Sequence, residues 1–267
     1  MTRRRTLVTV AVLLCAASAQ AQWLGYPAKH VPRNADGTPN LSAPAPRAAD
    51  GKIDLSGVWE AAIEPGGPKG GIEGIGTPKY MLDVMRDFKG AVPFQPWAAE
   101  IFKQRQANKL RDNPNIRCLP VGVPRLVAYS HPYKIVQAAD LVVILYESQT
   151  LFRQIFLDGR AHPADAEPAW LGYSVGKWDG DTLVVETTGF NDKTWLDGMG
   201  HPHSEAMKVT ERFRRRDVGH MEIEVVIDDP KAYTRQIRYV QPQALLPDGD
   251  LIEYICNENA KPVGPPQ

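Results

Sequence analysis

Charge of one sign is the first thing this sequence lacks. Its 31 Lys+Arg are matched by 31 Asp+Glu over 267 residues, so there is no electrostatic footing for nucleic acid or for an anionic membrane surface. Beyond residue 17 no run is long and apolar enough to make a membrane helix. Cysteine is scarce, with three in the chain, Cys15, Cys118 and Cys256. The strong catalytic signatures are missing as well. No Gly-Lys-Ser/Thr closes the Gly/Pro-rich stretch 64–78, there is no Gly-x-Ser-x-Gly, and there is no His-Glu-x-x-His. A phosphate loop, a nucleophile elbow and a zincin helix are thereby set aside.

The N-terminus carries what reads as a targeting signal. Arg3, Arg4 and Arg5 form a basic region, residues 7–17 a short apolar one, and Ala19-Gln20-Ala21 a small-x-small cleavage site. Residues 1–21 are therefore expected to be a signal peptide, with the mature chain starting at Gln22 in a periplasm or outside the cell. Its removal lowers Lys+Arg from 31 to 28 against 31 acidic residues, a formal charge of about −3. It also removes Cys15, and the remaining pair, Cys118 and Cys256, reads as a disulfide in an oxidising compartment. Two buried thiols are the alternative.

Residues 22–53 are rich in Pro, Ala and Asn and read as an extended arm. Within it Arg33-Asn-Ala-Asp36-Gly37 is echoed by Arg47-Ala-Ala-Asp50-Gly51, each copy placing an Asp-Gly turn before a short extended segment. The arm is expected to lie over the domain, with a lid over a pocket as the functional alternative. Residues 54–260 are expected to form one domain and 261–267 a tail. A helical insertion is expected at about 79–112, with a short helix over 79–88. Its main helix starts at Pro96, uses the i,i+4 pairs Trp97/Ile101 and Ala98/Phe102, runs to about Arg111, and stops at Asn113-Pro114.

From Tyr133 onward the period is that of strands. Runs at 134–138, 141–147, 151–157, 172–178, 182–188, 207–215, 221–227, 234–241 and 251–256 are separated by turn residues, with Asp179-Gly180 a strong hairpin signal. Met207, Val209, Glu211 and Phe213 share one face of their run. With no helices between these runs, a parallel α/β sheet is excluded. The fold class expected is mainly β: an antiparallel, lipocalin-like barrel or sandwich with a small helical insertion.

Leu55-Ser56-Gly57-Val58-Trp59 resembles the Gly-x-Trp first strand of lipocalin-like barrels. The segments DLSGVW (54–59), DGRAHP (158–163), WDGDTLVV (178–185), PHSE (202–205), ERF (211–213) and EYICNEN (253–259) together resemble a family of exported, functionally uncharacterised bacterial proteins. That resemblance implies export and one continuous domain. It implies no catalytic residues, so the chemistry has to come from the residues themselves.

Three of the six histidines, His162, His201 and His203, fall between Asp158 and Glu205, among Asp158, Asp165, Asp181, Glu186, Asp192, Asp197 and Glu205. The leading expectation is acid–base chemistry at a barrel mouth. His162 with Asp165, and His203 with Glu205, sit in two loops that would meet around one cavity, as base and as orienting or acid group. Arg160 would clamp a substrate anion, and Trp170 and Tyr173 would form an apolar wall. The bland alternative is that these are turn residues and that Arg160 pairs with a neighbouring carboxylate. A metal site from His201-Pro202-His203 with His162 is a weaker reading, since residues 201 and 203 face opposite sides of an extended segment. A serine nucleophile at Ser204 is weaker still. No cofactor and no metal are expected. The function expected is that of an enzyme acting on a small, partly apolar organic molecule, as a lyase, isomerase or hydrolase. A non-catalytic carrier of a small lipophilic ligand is the alternative. Whichever holds, the partner is a small molecule, with no nucleic acid and no membrane span after signal cleavage.

Overall fold

A computed structural model describes residues 25–63 and 77–258. The expected signal peptide, most of the Gly/Pro-rich stretch and the tail lie outside the described residues. Nine strands close into one barrel in chain order. They are β1 (Gly57–Ala61), β2 (Tyr133–Gln137), β3 (Leu141–Tyr146), β4 (Phe152–Phe156), β5 (Tyr173–Asp179), β6 (Thr182–Thr188), β7 (Lys208–Arg215), β8 (His220–Asp228) and β9 (Ile237–Leu245). Closure is made by β9 against β1, Trp59 opposite Leu245, so the fold is a barrel and not a sandwich. All pairings are antiparallel except β4 with β5, which run parallel in the register Ile155 to Ser174. A parallel pair needs a crossover. Residues 157–172 supply it along the outer wall, where His162 meets the Glu186 carbonyl of β6.

Alternation along each strand fixes what faces in. Tyr133 and Ile135, Val142, Ile144 and Tyr146, Arg153 and Ile155, Val209, Glu211 and Phe213, and Ile237 and Tyr239 are all buried. Pro242 is tolerated in β9 because β1 runs out beside it. The Ala62 N–H still donates to the Pro242 carbonyl at 2.8 Å. The donor that proline lacks is replaced by the Gln241 side-chain amide, which reaches the Ala62 carbonyl at 3.4 Å.

The two ends of the barrel are closed differently. At the lower end Trp59 is fully buried, as the Gly-x-Trp motif suggests, and the Arg215 guanidinium lies 4.8 Å from its ring centre. Arg215 donates to the carbonyls of Asp54, Ser56, Asp217 and Val218. The basic run 212–216 is thus split by strand parity. Arg215 faces inward, while Arg212 pairs with Asp179 and Arg216 with Glu222 outside. The arm packs here too, with Gly219 and Val218 donating to the carbonyls of Leu41 and Ala43. Its two repeat copies form the same small hairpin, Arg33 bridging Pro39 and Arg47 bridging Ile53. In each an Asp side chain accepts from the N–H two residues on, Asp36 from Thr38 and Asp50 from Lys52.

The helical insertion, between β1 and β2, covers the upper end. The expected helix over 79–88 is one turn, α1 (Lys79–Leu82), followed by turns. The main helix, α2 (Pro96–Ala107), stops four residues short of expectation, because Lys109 and Leu110 take left-handed backbone angles. The pair Ala98 and Phe102 docks inward, with Phe102 stacked on His201 at 4.6 Å. Trp97 stays 42% exposed. Residues 251–256, expected as a last strand, make a single parallel bridge, Tyr254 to Ser148. With β9 already paired to β1, the barrel has no edge left for them. The Cys118–Cys256 disulfide instead fastens this segment to the end of the 3₁₀ turn Pro114–Arg117, across a sequence separation of 138. Closing a loop of that length removes about 4–5 kcal/mol of unfolded-state entropy.

Candidate functional site

The inward residues nearest the upper end are polar, and the strands explain why they meet. Arg153 is the first inward position of β4, Ser174 of β5, Thr187 the last of β6, and Glu211 the second of β7. Neighbouring strands bring the four into one arc. Arg153 donates from Nε to Ser174 Oγ (2.9 Å) and from Nη2 to Thr187 Oγ1 (2.8 Å), and it pairs with Glu211. Ser174 and Thr187 share a hydrogen bond at 3.0 Å. Both members of the ion pair are shut off from solvent, with side-chain exposures of 2% and 0%. Burial alone disfavours the Arg153 charge. Glu211 and Tyr146 more than offset it, so the guanidinium holds its proton more tightly than an ordinary arginine.

Three tyrosines complete the layer. Tyr133 and Tyr146 face each other across β2 and β3, ring centres 5.9 Å apart, and Tyr239 enters from β9 with Tyr80 of α1 stacked on it at 4.4 Å. Burial pushes the Tyr146 hydroxyl up to about 12 and those of Tyr133 and Tyr239 well above the ordinary phenol range. All three remain neutral donors at any physiological pH. The Tyr146 hydroxyl and Arg153 lie against each other and interact. Other buried atoms of this layer have no hydrogen-bond partner: the hydroxyls of Tyr133 and Tyr239, Glu211 Oε1, and the side-chain oxygens of Gln241 and Gln243. Deeper in the barrel the lining turns apolar, through Ile135, Ile144, Ile155, Leu183, Phe213 and Ile223.

A second cluster sits in the cap above. Asp197, in the β6–β7 connection, is fully buried. Its Oδ2 accepts from Val84 N–H (2.9 Å) and lies 2.6 Å from His201 Nδ1, and its Oδ1 accepts from the N–H groups of Met199 (3.0 Å) and His201 (3.2 Å). The carboxylate thus fixes the Nδ1–H tautomer of His201. The other nitrogen, Nε2, is buried without a partner, and Phe94 and Phe102 stack on the ring. Asp83, Asp197 and His201 offer ligand atoms within 4.8 Å of one another. That set is not the expected one, and a metal there would have to displace donors that already occupy Asp197.

The residues singled out from the sequence are distributed as follows. Arg160 is exposed and donates from Nε to both Asp158 oxygens, at 2.8 and 2.9 Å, and from Nη2 to Oδ2, lying over the Phe156 ring outside the barrel. His162 is on the same outer wall, its Nε2 3.1 Å from the Glu186 carbonyl and its Nδ1 4.0 Å from the Glu186 carboxylate. Asp165 is exposed. His203 is buried in the cap, bonded to Thr194 Oγ1 (2.6 Å) and the Ser204 carbonyl (3.2 Å). Glu205 is exposed beside it, and Ser204 donates to Asp229 and not to a histidine. Among the described residues no hydrogen bond, ion pair or ring contact joins the His162 loop to the His203 loop. The two expected pairs do not converge, because the crossover takes one of them outside the wall. Arg153 escaped notice because its run, Phe152-Arg153-Gln154-Ile155-Phe156, puts an aromatic outside and the charge inside. Its parity with Ile155 was the available signal.

His203 makes the fold sensitive to acid. Burial holds its imidazole below the usual histidine range, against the Ser204 carbonyl and Asp229, and burial does the same at His131. The unfolded chain titrates near pH 6.5 and binds the proton first. Stability is therefore full above that value and declines as the pH falls through it toward the lower folded pKa. Urea unfolding between about pH 7.5 and pH 5.5 should show that decline, with a shallower slope for His203→Gln. Equal slopes would mean that His203 takes up its proton in the folded state.

Comparison with known proteins adds no relative to this geometry: no protein-family model matches the chain, and no curated protein and no solved structure is similar to it.

Proposed function

We propose that the protein binds a small, partly apolar organic molecule inside the barrel. The polar end of the ligand would lie against the Arg153–Glu211–tyrosine layer and its apolar part against the lining below. The observation that carries this reading is the set of buried polar atoms in one layer with no partner. Native interiors satisfy nearly all such groups, and each one left unmet costs about 1–3 kcal/mol. Donors and acceptors are both represented, so the complementary molecule presents both. The Cys118–Cys256 disulfide supports an oxidising compartment, in keeping with a periplasmic or secreted protein.

Native mass spectrometry of protein purified from a periplasm tests it. One organic molecule per chain is expected on the wild type and none on the triple variant Tyr133→Phe, Tyr146→Phe, Tyr239→Phe. Without ligand, Tyr133→Phe and Tyr239→Phe should cost little stability, since those hydroxyls have no protein partner, while Tyr146→Phe gives up its interaction with Arg153 and should cost about 1 kcal/mol. A wild-type chain that carries no organic mass, and takes none up from a panel of small amphiphiles, would overturn the reading.

The free Nε2 of His201 favours a second reading, in which the ligand is also a substrate. An imidazole oriented by a buried carboxylate is a general base. The His/carboxylate chemistry expected at His162 or His203 would then belong to His201 and Asp197. His201→Gln should abolish turnover of the barrel's ligand and spare its binding, and unchanged turnover would end this second reading.

A further inference from the structure

Arg125 is a buried cation of the cap with no anionic partner among the described residues; Arg105, the other, is at least met by the Gly200 carbonyl and the Trp195 ring. Arg125 opens the 3₁₀ turn Arg125–Ala128 and is 5% exposed. Its guanidinium makes no hydrogen bond and no ion pair among the described residues. The contact it does make is with the ring of Tyr129, 5.8 Å away. Its Nε is wholly enclosed and has no partner. The charge of Asp197 favours the Arg125 cation, but both oxygens of that carboxylate are taken up by four other N–H groups. Burial lowers the affinity of Arg125 for its proton, yet a guanidinium does not neutralise at any pH a protein survives. A buried charge that can neither leave nor pair is costly, and such charges are normally met by a counter-ion.

The turn that carries Arg125 touches the barrel interior. The carbonyl of Val127 accepts from the amide of Gln243, an inward residue of β9, and the other end of that amide is one of the unpartnered oxygens of the polar layer. Gly122, at the foot of the same turn, takes φ +83° and lies so close to Thr194 that a Cβ there would come within 2.7 Å of its hydroxyl. The turn is thus held between β9 and the β6–β7 connection, next to an unpartnered atom of the polar layer.

We infer that Arg125 is the receptor for a carboxylate group on the molecule that the barrel binds. This rests on the barrel-ligand reading and adds the charge of the ligand to it. The fork of a guanidinium matches a carboxylate through two parallel N–H···O bonds. A monoanion suits the surroundings, since the Arg153–Glu211 pair is already neutral and Arg105, the other cation of the cap, is engaged with the Gly200 carbonyl and the Trp195 ring. The ligand class is thus a small monocarboxylic acid with a hydrogen-bonding group near its carboxylate, at the level of the polar layer, and an apolar body beyond it.

Hexanoate and its uncharged amide, hexanamide, serve as probes of the mature full-length chain. NMR follows the Nε–H of Arg125, assigned in the wild type by through-bond correlation along its side chain to the backbone amide, together with the ring signals of Tyr133, Tyr146 and Tyr239. Hexanoate is expected to shift both sets and to bind at least tenfold more tightly than hexanamide, and Arg125→Met is expected to abolish that preference. If both probes shift the tyrosines equally and leave Arg125 unmoved, the carboxylate inference fails and the barrel reading stands. If hexanoate shifts Arg125 alone, the anion site stands and the barrel reading fails. If neither probe moves any of these signals, both fail. Because the Arg125 signal is read in the wild type, a variant that does not fold leaves the outcome decided.

Discussion

Replacing Glu211 by Gln should destabilise the protein by about 3–5 kcal/mol, because it strands the Arg153 charge inside the barrel. The pair is almost free of solvent, and Arg153 has no second carboxylate to turn to. Its other partners, Ser174, Thr187 and Tyr146, are neutral hydroxyls. Removing both charges should behave differently. In Arg153→Met/Glu211→Leu the desolvation penalty of both ions disappears, and Ser174 and Thr187 retain each other. The double variant should therefore come within about 1 kcal/mol of the wild type or exceed it, leaving a coupling energy of several kcal/mol in the cycle. Urea denaturation of the wild type, both single variants and the double variant measures that coupling. A loss below about 1 kcal/mol for Glu211→Gln would mean that water reaches the pair. The double variant also separates stability from function, since it should fold normally and lose whatever the polar layer binds.

That pair also shows how far the sequence could be read. The strands were legible because alternation is a local property: eight of the nine barrel strands lie where period-2 runs fall, and β1 lies at the strand expected over 54–63 around Gly57-Val58-Trp59. Glu211 was legible as an anomaly, a carboxylate sharing a face with Met207, Val209 and Phe213. Its partner was not. Arg153 lies 58 residues away, and only the parallel step from β4 to β5, followed by two antiparallel ones, brings it alongside. Nothing in a run of five residues announces that a crossover will pass outside the wall. The same step carried His162 and Arg160 away from the mouth, so density of histidines along the chain was a poor guide to their meeting in space. The last expected strand failed for a related reason. Residues 251–256 have the composition of a strand, but pairing is decided by which edge is open, and closure of β9 on β1 leaves none.

Asp197 was in view as one acid among many, and its spacing to His201 was the signal that mattered. In the structure it is the point on which the cap hangs. Through Val84 it holds the segment after α1, through Met199 and the His201 N–H it shapes the β6–β7 connection, and through Nδ1 it orients the His201 ring. Asp197→Ala would leave two buried backbone donors, Val84 and His201, the part-buried Met199 N–H and one imidazole N–H without an acceptor. At about 1–3 kcal/mol for each unmet buried donor, and with partial relief from water entering the space, the loss should reach about 3–5 kcal/mol. Asp197→Asn preserves shape and can still accept through one oxygen, so its loss should be smaller, about 2–3 kcal/mol. It should also reverse the ring, because an amide NH₂ now faces Nδ1 and has to donate to it, which moves the imidazole proton to Nε2. Nitrogen-15 NMR of the histidine side chains reads the tautomer directly, and urea denaturation reads the stability. Wild-type His201 should carry its proton on Nδ1 and the Asn variant on Nε2. A wild-type proton on Nε2, or an Ala variant within about 1 kcal/mol of wild type, would mean that Asp197 does not hold the cap. In that case His201 would have no oriented lone pair with which to act as a base.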